Sequence, residues 1–394
     1  MTDPIVIVSA ARTPIGGLLG VFKDVSAPQL AAVAIRAALA KANLPADKID
    51  EVMIGCVLPA GIGQAPARQA ALGAGLPEST PCTTVSKVCG SGLKSVMLAH
   101  DAIMAGSTNV MVAGGMESMT NAPHMVLKAR EGQRMGNVEM VDHMFMDGLQ
   151  DAYEKGKLMG VFAEACASKY QFTRVAQDAF AITSLERAKK ATADGSFATE
   201  IAPVTVKSKK GESVVSVDEL PQKADVAKIP TLNPAFALDG TVTAANASSI
   251  SDGAAALILM RQSIAEKLGV KPLARIVGHA SHAQAPAWFA TAPVAALQKL
   301  SEKTGWALQD VDAFEINEAF AVVTMAAMHD LNLPHEKVNI HGGACALGHP
   351  IGASGARILV TLLAILEKYK LKRGIVSLCI GGGEAVAMAV ERMP

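Results

Sequence analysis

Cys89 stands in Val88-Cys89-Gly90-Ser91-Gly92, immediately before a stretch with helical periodicity. A thiol at the start of a helix feels the positive end of the helix dipole, so a lowered pKa and a nucleophilic thiolate are expected there. The flanking glycines permit a sharp turn and let a substrate approach backbone N–H groups closely. His349 lies in Gly348-His349-Pro350-Ile351-Gly352-Ala353-Ser354-Gly355. Proline restricts the residue before it to extended backbone, which would hold the imidazole at the mouth of the following helix. A histidine is the natural base for a cysteine nucleophile. Cys379 follows the predicted strand Ile375 to Leu378 and precedes Ile380-Gly381-Gly382-Gly383, where the glycine N–H groups could stabilise an oxyanion. Asn317 and Glu318 precede another helical stretch, where alone they read as a helix N-cap. Each element has a plainer reading: a small buried cysteine, a packing histidine, a tight turn. Two strand-end cysteines, a rigid histidine and glycine-rich turns together fit carbonyl chemistry by covalent catalysis.

Composition narrows the classes. Half of the 394 residues are apolar and 18% are charged, which argues against disorder and for two or three domains or one duplicated domain. Lys plus Arg equals Asp plus Glu, 36 each, so no basic face for nucleic acid is expected. Six cysteines without CxxC spacing read as free thiols in a reducing compartment. The nine histidines form no HExxH pair, so no metal site is expected. No apolar run has the length of a membrane span, and the N-terminus reads as a first strand and not as a targeting segment. A cytoplasmic location follows as the expectation.

Strands near Ile5–Val8, Val52–Ile54 and Val110–Ala113 alternate with helices near 28–42, 65–74 and 90–105. That alternation predicts a layered, mainly parallel α/β sheet. Residues 119–249 break the pattern; they are Met-rich and carry one clear helix, at about 174–193, as an excursion from the sheet. A weak internal repeat is visible. Cys89-Gly-Ser-Gly and Gly352-Ala-Ser-Gly each open a helix, followed by a strand and a glycine turn.

The chain resembles the thiolases of the biosynthetic, acetyl-CoA acetyltransferase type. The resemblance runs almost end to end, through Val8-Ser-Ala-Ala-Arg-Thr13, Val88-Cys-Gly-Ser-Gly92, Ala113-Gly-Gly-Met-Glu-Ser118, Gly240-Thr-Val-Thr-Ala244, Asn246-Ala-Ser248, Asn317-Glu-Ala-Phe320, Gly348 to Gly355 and Cys379-Ile-Gly-Gly-Gly383. It implies a duplicated αβαβα fold. The N-terminal half would take 1–118 and about 250–270, the inserted loop domain 119–249 and the C-terminal half 271–394. It further implies that Cys89 is acylated, that His349 activates it, and that Cys379 moves the α-proton of a second acetyl-CoA. Asn317 would hold a water that forms one oxyanion hole with His349. The N–H groups of Cys89 and Gly381 would form the other. The reaction would be the reversible Claisen condensation of two acetyl-CoA to acetoacetyl-CoA and CoA, with no cofactor. Leu149, Met159, Phe236, Ala244, Ser248, Phe289 and Phe320 would line the coenzyme A site, and residues 120–142 would build a homotetramer.

The chain departs from the family pattern in places. Leu158 precedes Met159-Gly160 where relatives have a histidine. Phe289 begins Phe-Ala-Thr-Ala-Pro-Val where relatives have methionine, and is expected to narrow the acyl pocket. The segment 220–228 is short and lacks the usual arginine. Cys345 and His341 replace commoner residues, and Cys345 is exposed to oxidation on this reading. The competing readings are a degradative 3-ketoacyl-CoA thiolase, a ketoacyl synthase, a non-catalytic CoA or lipid carrier, and a nicotinamide-dependent oxidoreductase. The last lacks GxGxxG after the first strand.

Overall fold

The computed structural model describes residues 3–209 and 211–394. The first half contains β1 (Ile5–Arg12), α1 (Ala27–Ala42), β2 (Glu51–Gly55), α2 (Pro66–Gly73), β3 (Cys82–Val85), α3 (Ser91–Ala105) and β4 (Val110–Ser118). An excursion follows, carrying α4 (Met159–Tyr170) and α5 (Arg174–Ala193). The chain rejoins the sheet as β5 (Ser251–Arg261). The second half contains β6 (Ala274–Ala283), α6 (Ala292–Thr304), β7 (Ala313–Ile316), α7 (Ala321–Leu331), α8 (Ile351–Lys368), β8 (Arg373–Ile380) and β9 (Glu384–Arg392).

The strand order is β7-β8-β9-β6-β1-β5-β4-β2-β3. In the first half, β2 and β4 pair parallel, while β4–β5 and β5–β1 pair antiparallel. In the second, β7 and β8 pair parallel, while β8–β9 and β9–β6 pair antiparallel. The same order and the same sequence of directions recur, so the weak repeat seen in the sequence reflects a duplicated unit. Among the described residues, the strand pairing that joins the halves is Val6↔Arg275 and Ile7↔Ala274.

The sheet is therefore mixed and not mainly parallel. Alternation of strand and helix predicts parallel neighbours only where a helix crosses between adjacent strands. Here the β8–β9 hairpin and the return of β5 after the excursion place antiparallel strands at the centre of each half.

Alternate residues of the central strands feed different cores. Val6, Val8, Ile258 and Met260 pack outward under α1 and α2. Ile5, Ile7, Leu257 and Leu259 pack inward on α3 and α8, together with Val376, Leu378 and Met388 of the second half. Phe314, Ile316 and Ile375 pack beneath α6 and α7. The layers are thus α, β, α, β, α. Burial on both faces explains the continuous apolar runs of these strands. Helix α8 is buried along nearly its whole length, which fits its place in the middle layer.

Helices α3 and α8 approach until backbones touch. A Cβ on Gly92 would lie 2.8 Å from the N of Ala356, and one on Gly355 would lie 2.5 Å from the N of Leu93. Those neighbours are backbone atoms and cannot move aside. Gly355→Ala is expected to destabilise the fold by about 1–3 kcal/mol, read as a lower urea midpoint at unchanged m-value.

Candidate active site

Cys89 sits on an elbow between β3 and α3. Val88 just before it has φ +44°, a left-handed value that is strained for a β-branched residue. Ser91 holds the elbow: its Oγ accepts from the Lys87 N–H at 2.8 Å and donates to the Val88 carbonyl at 2.7 Å. Gly90 lets the end of β8 come close, since a Cβ there would lie 2.4 Å from Ile380 Cδ1. Ile380 lies between Cys379 and Gly381, so this close approach brings the second cysteine and the glycine turn to the elbow.

The backbone N–H groups of Gly381 and of Cys89 itself lie by the Cys89 sulfur and favour its charged form. Burial is the larger influence and pushes the Cys89 thiol up to about 11, against the pull of those two donors; the Glu117 charge raises it further. This corrects the expectation that the helix dipole would favour a resting thiolate. Desolvation of a thiolate in an apolar site outweighs two N–H donors. Burial likewise holds Cys379 well above the ordinary thiol range.

His349 is buried at the mouth of α8. Its N–H donates to the Ser249 carbonyl at 3.0 Å. Gly348 before it has φ +102°, and a Cβ there would meet Ser251 Oγ at 2.1 Å. His349 Nδ1 lies 2.5 Å from Ser354 Oγ, which gives its single hydrogen to the Pro350 carbonyl at 3.0 Å. Ser354 therefore accepts from Nδ1–H, and Nε2 is left as the ring's acceptor. Burial, followed by the charge of Arg357, lowers His349 to about 3, so the ring is a neutral acceptor near pH 7. Nε2 faces the Asn317 side-chain amide at 3.5 Å.

Asn317 does not cap a helix, as its neighbourhood in sequence suggested; Phe320 occupies the N-cap of α7. Asn317 is buried beside His349, and its Oδ1 has no protein partner among the described residues. Glu318 is buried as a brace. Its carboxylate accepts from Ser184 Oγ at 2.7 Å, Asn339 Nδ2 at 2.8 Å and the Cys345 N–H at 3.1 Å. Cys345 donates its thiol to the Glu318 carbonyl at 3.7 Å, and burial raises its pKa well above the usual thiol value. A thiol held protonated in this way is a weaker target for oxidants than a thiolate would be.

A cavity of about 480 Å³ brings these groups together. Cys89, His349, Cys379 and Gly381 line its inner end. Leu149, Met159, Phe236, Ala244, Ser248, Phe289 and Phe320 all contribute to its wall, so every sequence-derived site residue except Asn317 reaches the cavity, and Asn317 stands behind His349. Phe320 meets Phe236 and Phe289 edge-on, with centroids 5.9 and 6.2 Å apart. Gly160 is needed beside them, because a Cβ would fall 2.3 Å from the Phe236 ring.

Sequence reasoning missed several groups. Leu18, Phe145 and Leu220 form the wall from segments with no motif. Leu220 belongs to the shortened 220–228 stretch, so that stretch supplies an apolar wall. Glu117, inside a quoted motif but given no role, accepts from the N–H groups of Val57, Leu58 and Gly352 at 3.0, 3.1 and 2.9 Å. Burial pushes its carboxyl up to about 7 despite those donors. It ties the end of β4 to the start of α8. Ser354 was legible only as part of a glycine-rich turn.

A duplicated five-layer α/β chain with two cysteines and a neutral histidine in one apolar cavity defines the class. Residues 5–263 match the thiolase N-terminal domain, and residues 270–392 match the thiolase C-terminal domain. The chain belongs to the thiolase family. It is 48% identical to the acetyl-CoA acetyltransferase of Allochromatium vinosum, with 100% of each chain covered. It is 49% identical to that of Cupriavidus necator, again over 100% of each. A crystal structure of the Bacillus anthracis acetyl-CoA acetyltransferase superposes with a TM-score of 0.97 at 39% identity, covering 99% of both chains.

Two outcomes follow from this geometry. Ser354→Ala frees the His349 ring and is expected to lower kcat by about 10- to 100-fold with little change in KM; Ser354→Thr, which keeps the hydroxyl, restores much of it. Because burial raises Cys89, its alkylation by iodoacetamide should accelerate with rising pH and show no plateau below pH 9, measured by mass spectrometry of the Cys89 peptide.

Proposed function

We propose that this chain is an acetyl-CoA C-acetyltransferase working through an acetyl-Cys89 intermediate. The observation that carries this reading is the meeting of Cys89, His349 and Cys379 in one apolar cavity, with Gly381 lining it beside them. Full-length relatives named acetyl-CoA acetyltransferase support it.

In the first half-reaction, Cys89 passes its proton to His349 Nε2 as its sulfur attacks the acetyl carbonyl of acetyl-CoA. The oxyanion forms where the Cys89 and Gly381 N–H groups point. The C–S bond to coenzyme A breaks, and the departing sulfur takes the proton of Cys379. The burial that keeps Cys379 protonated at rest suits it to that first task. In the second half-reaction, the Cys379 thiolate takes an α-proton from a second acetyl-CoA. A water held by Asn317, with protonated His349, stabilises the enolate oxygen. The enolate carbon attacks acetyl-Cys89, the Cys89 sulfur leaves, and His349 returns its proton. Acetoacetyl-CoA and CoA result, both cysteines are restored, and no resident cofactor is consumed.

Phe289 is buried beside Phe320 in the cavity wall, close to the apolar group that includes Cys379. It shortens the acyl end and favours acetoacetyl-CoA over the longer substrates of a degradative 3-ketoacyl-CoA thiolase. A carrier would need neither the elbow nor the second cysteine. Met159, Phe236, Ala244 and Ser248 supply an uncharged wall suited to pantetheine.

The assembly we propose is a homotetramer. The arm between Thr120 and Asp142 folds back through a two-stranded ladder, His124–Met125 against Val141–Asp142. It leaves Met135 96% and Met140 64% exposed, a surface suited to a second copy. No described helix is long and apolar enough to cross a membrane. Free cysteines throughout, and a mouse relative named as cytosolic, support a cytoplasmic location.

The decisive measurement compares thiolysis of acetoacetyl-CoA and 3-oxohexanoyl-CoA by the wild type and three variants. Cys89→Ala should lose activity by on the order of 10³-fold or more and form no acetyl-enzyme. Cys379→Ala should acetylate on Cys89 yet fail to condense; equal loss of both half-reactions would remove its separate role. Phe289→Met should raise kcat/KM for 3-oxohexanoyl-CoA relative to acetoacetyl-CoA, and an unchanged ratio would show that Phe289 does not set chain length.

A further inference from the structure

We propose that His100, Asp101 and His279 form a binding site for one divalent transition-metal cation of the zinc class, between α3 and β6 and apart from the cavity. The sequence offers no hint of it. Two ligands are consecutive residues on a helix, and the third comes from a strand 178 positions away. Folding brings them together. His100 Nδ1 lies 3.1 Å from Asp101 Oδ1, and His279 Nε2 lies 2.9 Å from the same oxygen. All three ligand atoms are within 4.8 Å of one another. The two imidazoles meet edge-on with centroids 5.1 Å apart, so both present a ring nitrogen to one point.

The surroundings suit a cation of this class. The two histidine side chains are only 17% and 12% exposed, while Asp101 is 52% exposed. The rings are thus held by packing and the carboxylate opens a path to solvent. Two imidazoles are borderline donors that favour zinc, cobalt or nickel over magnesium or calcium, and the carboxylate is an oxygen donor that zinc also accepts. A tetrahedral ion with bonds of about 2.0–2.2 Å spaces its donors about 3.3 Å apart. The two spacings to Asp101 need to open by only a few tenths of an ångström, and the two ring nitrogens, now within 4.8 Å of each other, need only modest side-chain adjustment to reach it. Each ring now gives an N–H to Asp101; on binding, that proton moves to the other ring nitrogen and the facing lone pair takes the metal. Lys303 is the nearby cation, and its Nζ is engaged by the His279 carbonyl at 3.1 Å.

A bound ion would fasten α3, which begins two residues after Cys89, to β6 of the second half. Its signature is therefore stability more than turnover.

The test is a Co²⁺ titration of the full chain, followed by absorbance and by thermal unfolding. One equivalent should bind saturably, without the charge-transfer band of a cobalt–thiolate bond, and should raise Tm by a few degrees through mass action. His279→Gln and His100→Gln should each weaken binding by at least ~10- to 100-fold and remove the Tm shift, while metal-free Tm and acetoacetyl-CoA thiolysis stay near wild type. Unchanged affinity in His279→Gln, a thiolate band that places the metal on the cysteines, or no saturable binding up to millimolar cobalt would each overturn the proposal. The first two outcomes would leave only a histidine–aspartate hydrogen-bond pair at this surface.

Discussion

Everything at the active site hangs from the contact of α3 with α8. Two helices whose backbones meet at Gly92 and Gly355 cannot slide or tilt without collision. Their N-termini are thereby fixed relative to one another, and those N-termini carry the two partners of the first chemical step. Cys89 ends the elbow into α3; His349 sits one residue before the N-cap of α8. Glu117 adds a polar tie to the same place. Its carboxylate joins the Val57–Leu58 backbone to the first turn of α8. Small residues at the crossing and one buried carboxylate at its end hold the geometry to a tolerance that loops alone would not give.

The site is walled by apolar side chains, and burial decides its electrostatics. Burial holds both cysteines protonated and the histidine neutral. No charge rests in the cavity before substrate arrives. A preformed thiolate–imidazolium pair would have to be desolvated at a cost of several kcal/mol. The arrangement found here creates charge only as the sulfur attacks, beside the backbone N–H groups of Cys89 and Gly381. The Ser354 hydroxyl fixes which ring nitrogen is free to accept the proton. Neutral at rest and polarisable on demand, the site suits thioester chemistry, in which a persistent anion would add little.

Duplication supplies the frame and the excursion supplies the walls. Both halves share one parallel and two antiparallel strand pairings around a central helix, and the first half adds a further parallel edge strand. The first half contributes Cys89, and the second contributes His349, Cys379 and Asn317. The 119–249 excursion contributes Leu149, Met159, Phe236, Ala244 and Ser248, the residues that turn an open groove into a cavity. A pseudo-symmetric frame thus carries an asymmetric site.

The sequence by itself determined a great deal here. Local rules were strong where glycine, proline and apolar runs coincide. The helix at 174–193, the buried strands and the glycine turns after them follow from periodicity and from backbone freedom. The motif residues Cys89, His349 and Cys379 could be singled out because their neighbours dictate sharp turns. Tertiary structure decided what local rules do not reach. Strand neighbours depend on where the chain returns, so the sheet proved mixed where alternation suggested parallel. The Cys89 thiol was raised and not lowered, because burial is a property of surroundings assembled from distant segments. Asn317 left its expected cap for the side of His349. Leu18, Phe145 and Leu220 entered the wall without any motif, and His279 came to lie against His100 and Asp101 from the other half of the chain. In each case the deciding energy, desolvation or contact, belongs to groups far apart in sequence, and only the packed fold brings them within range.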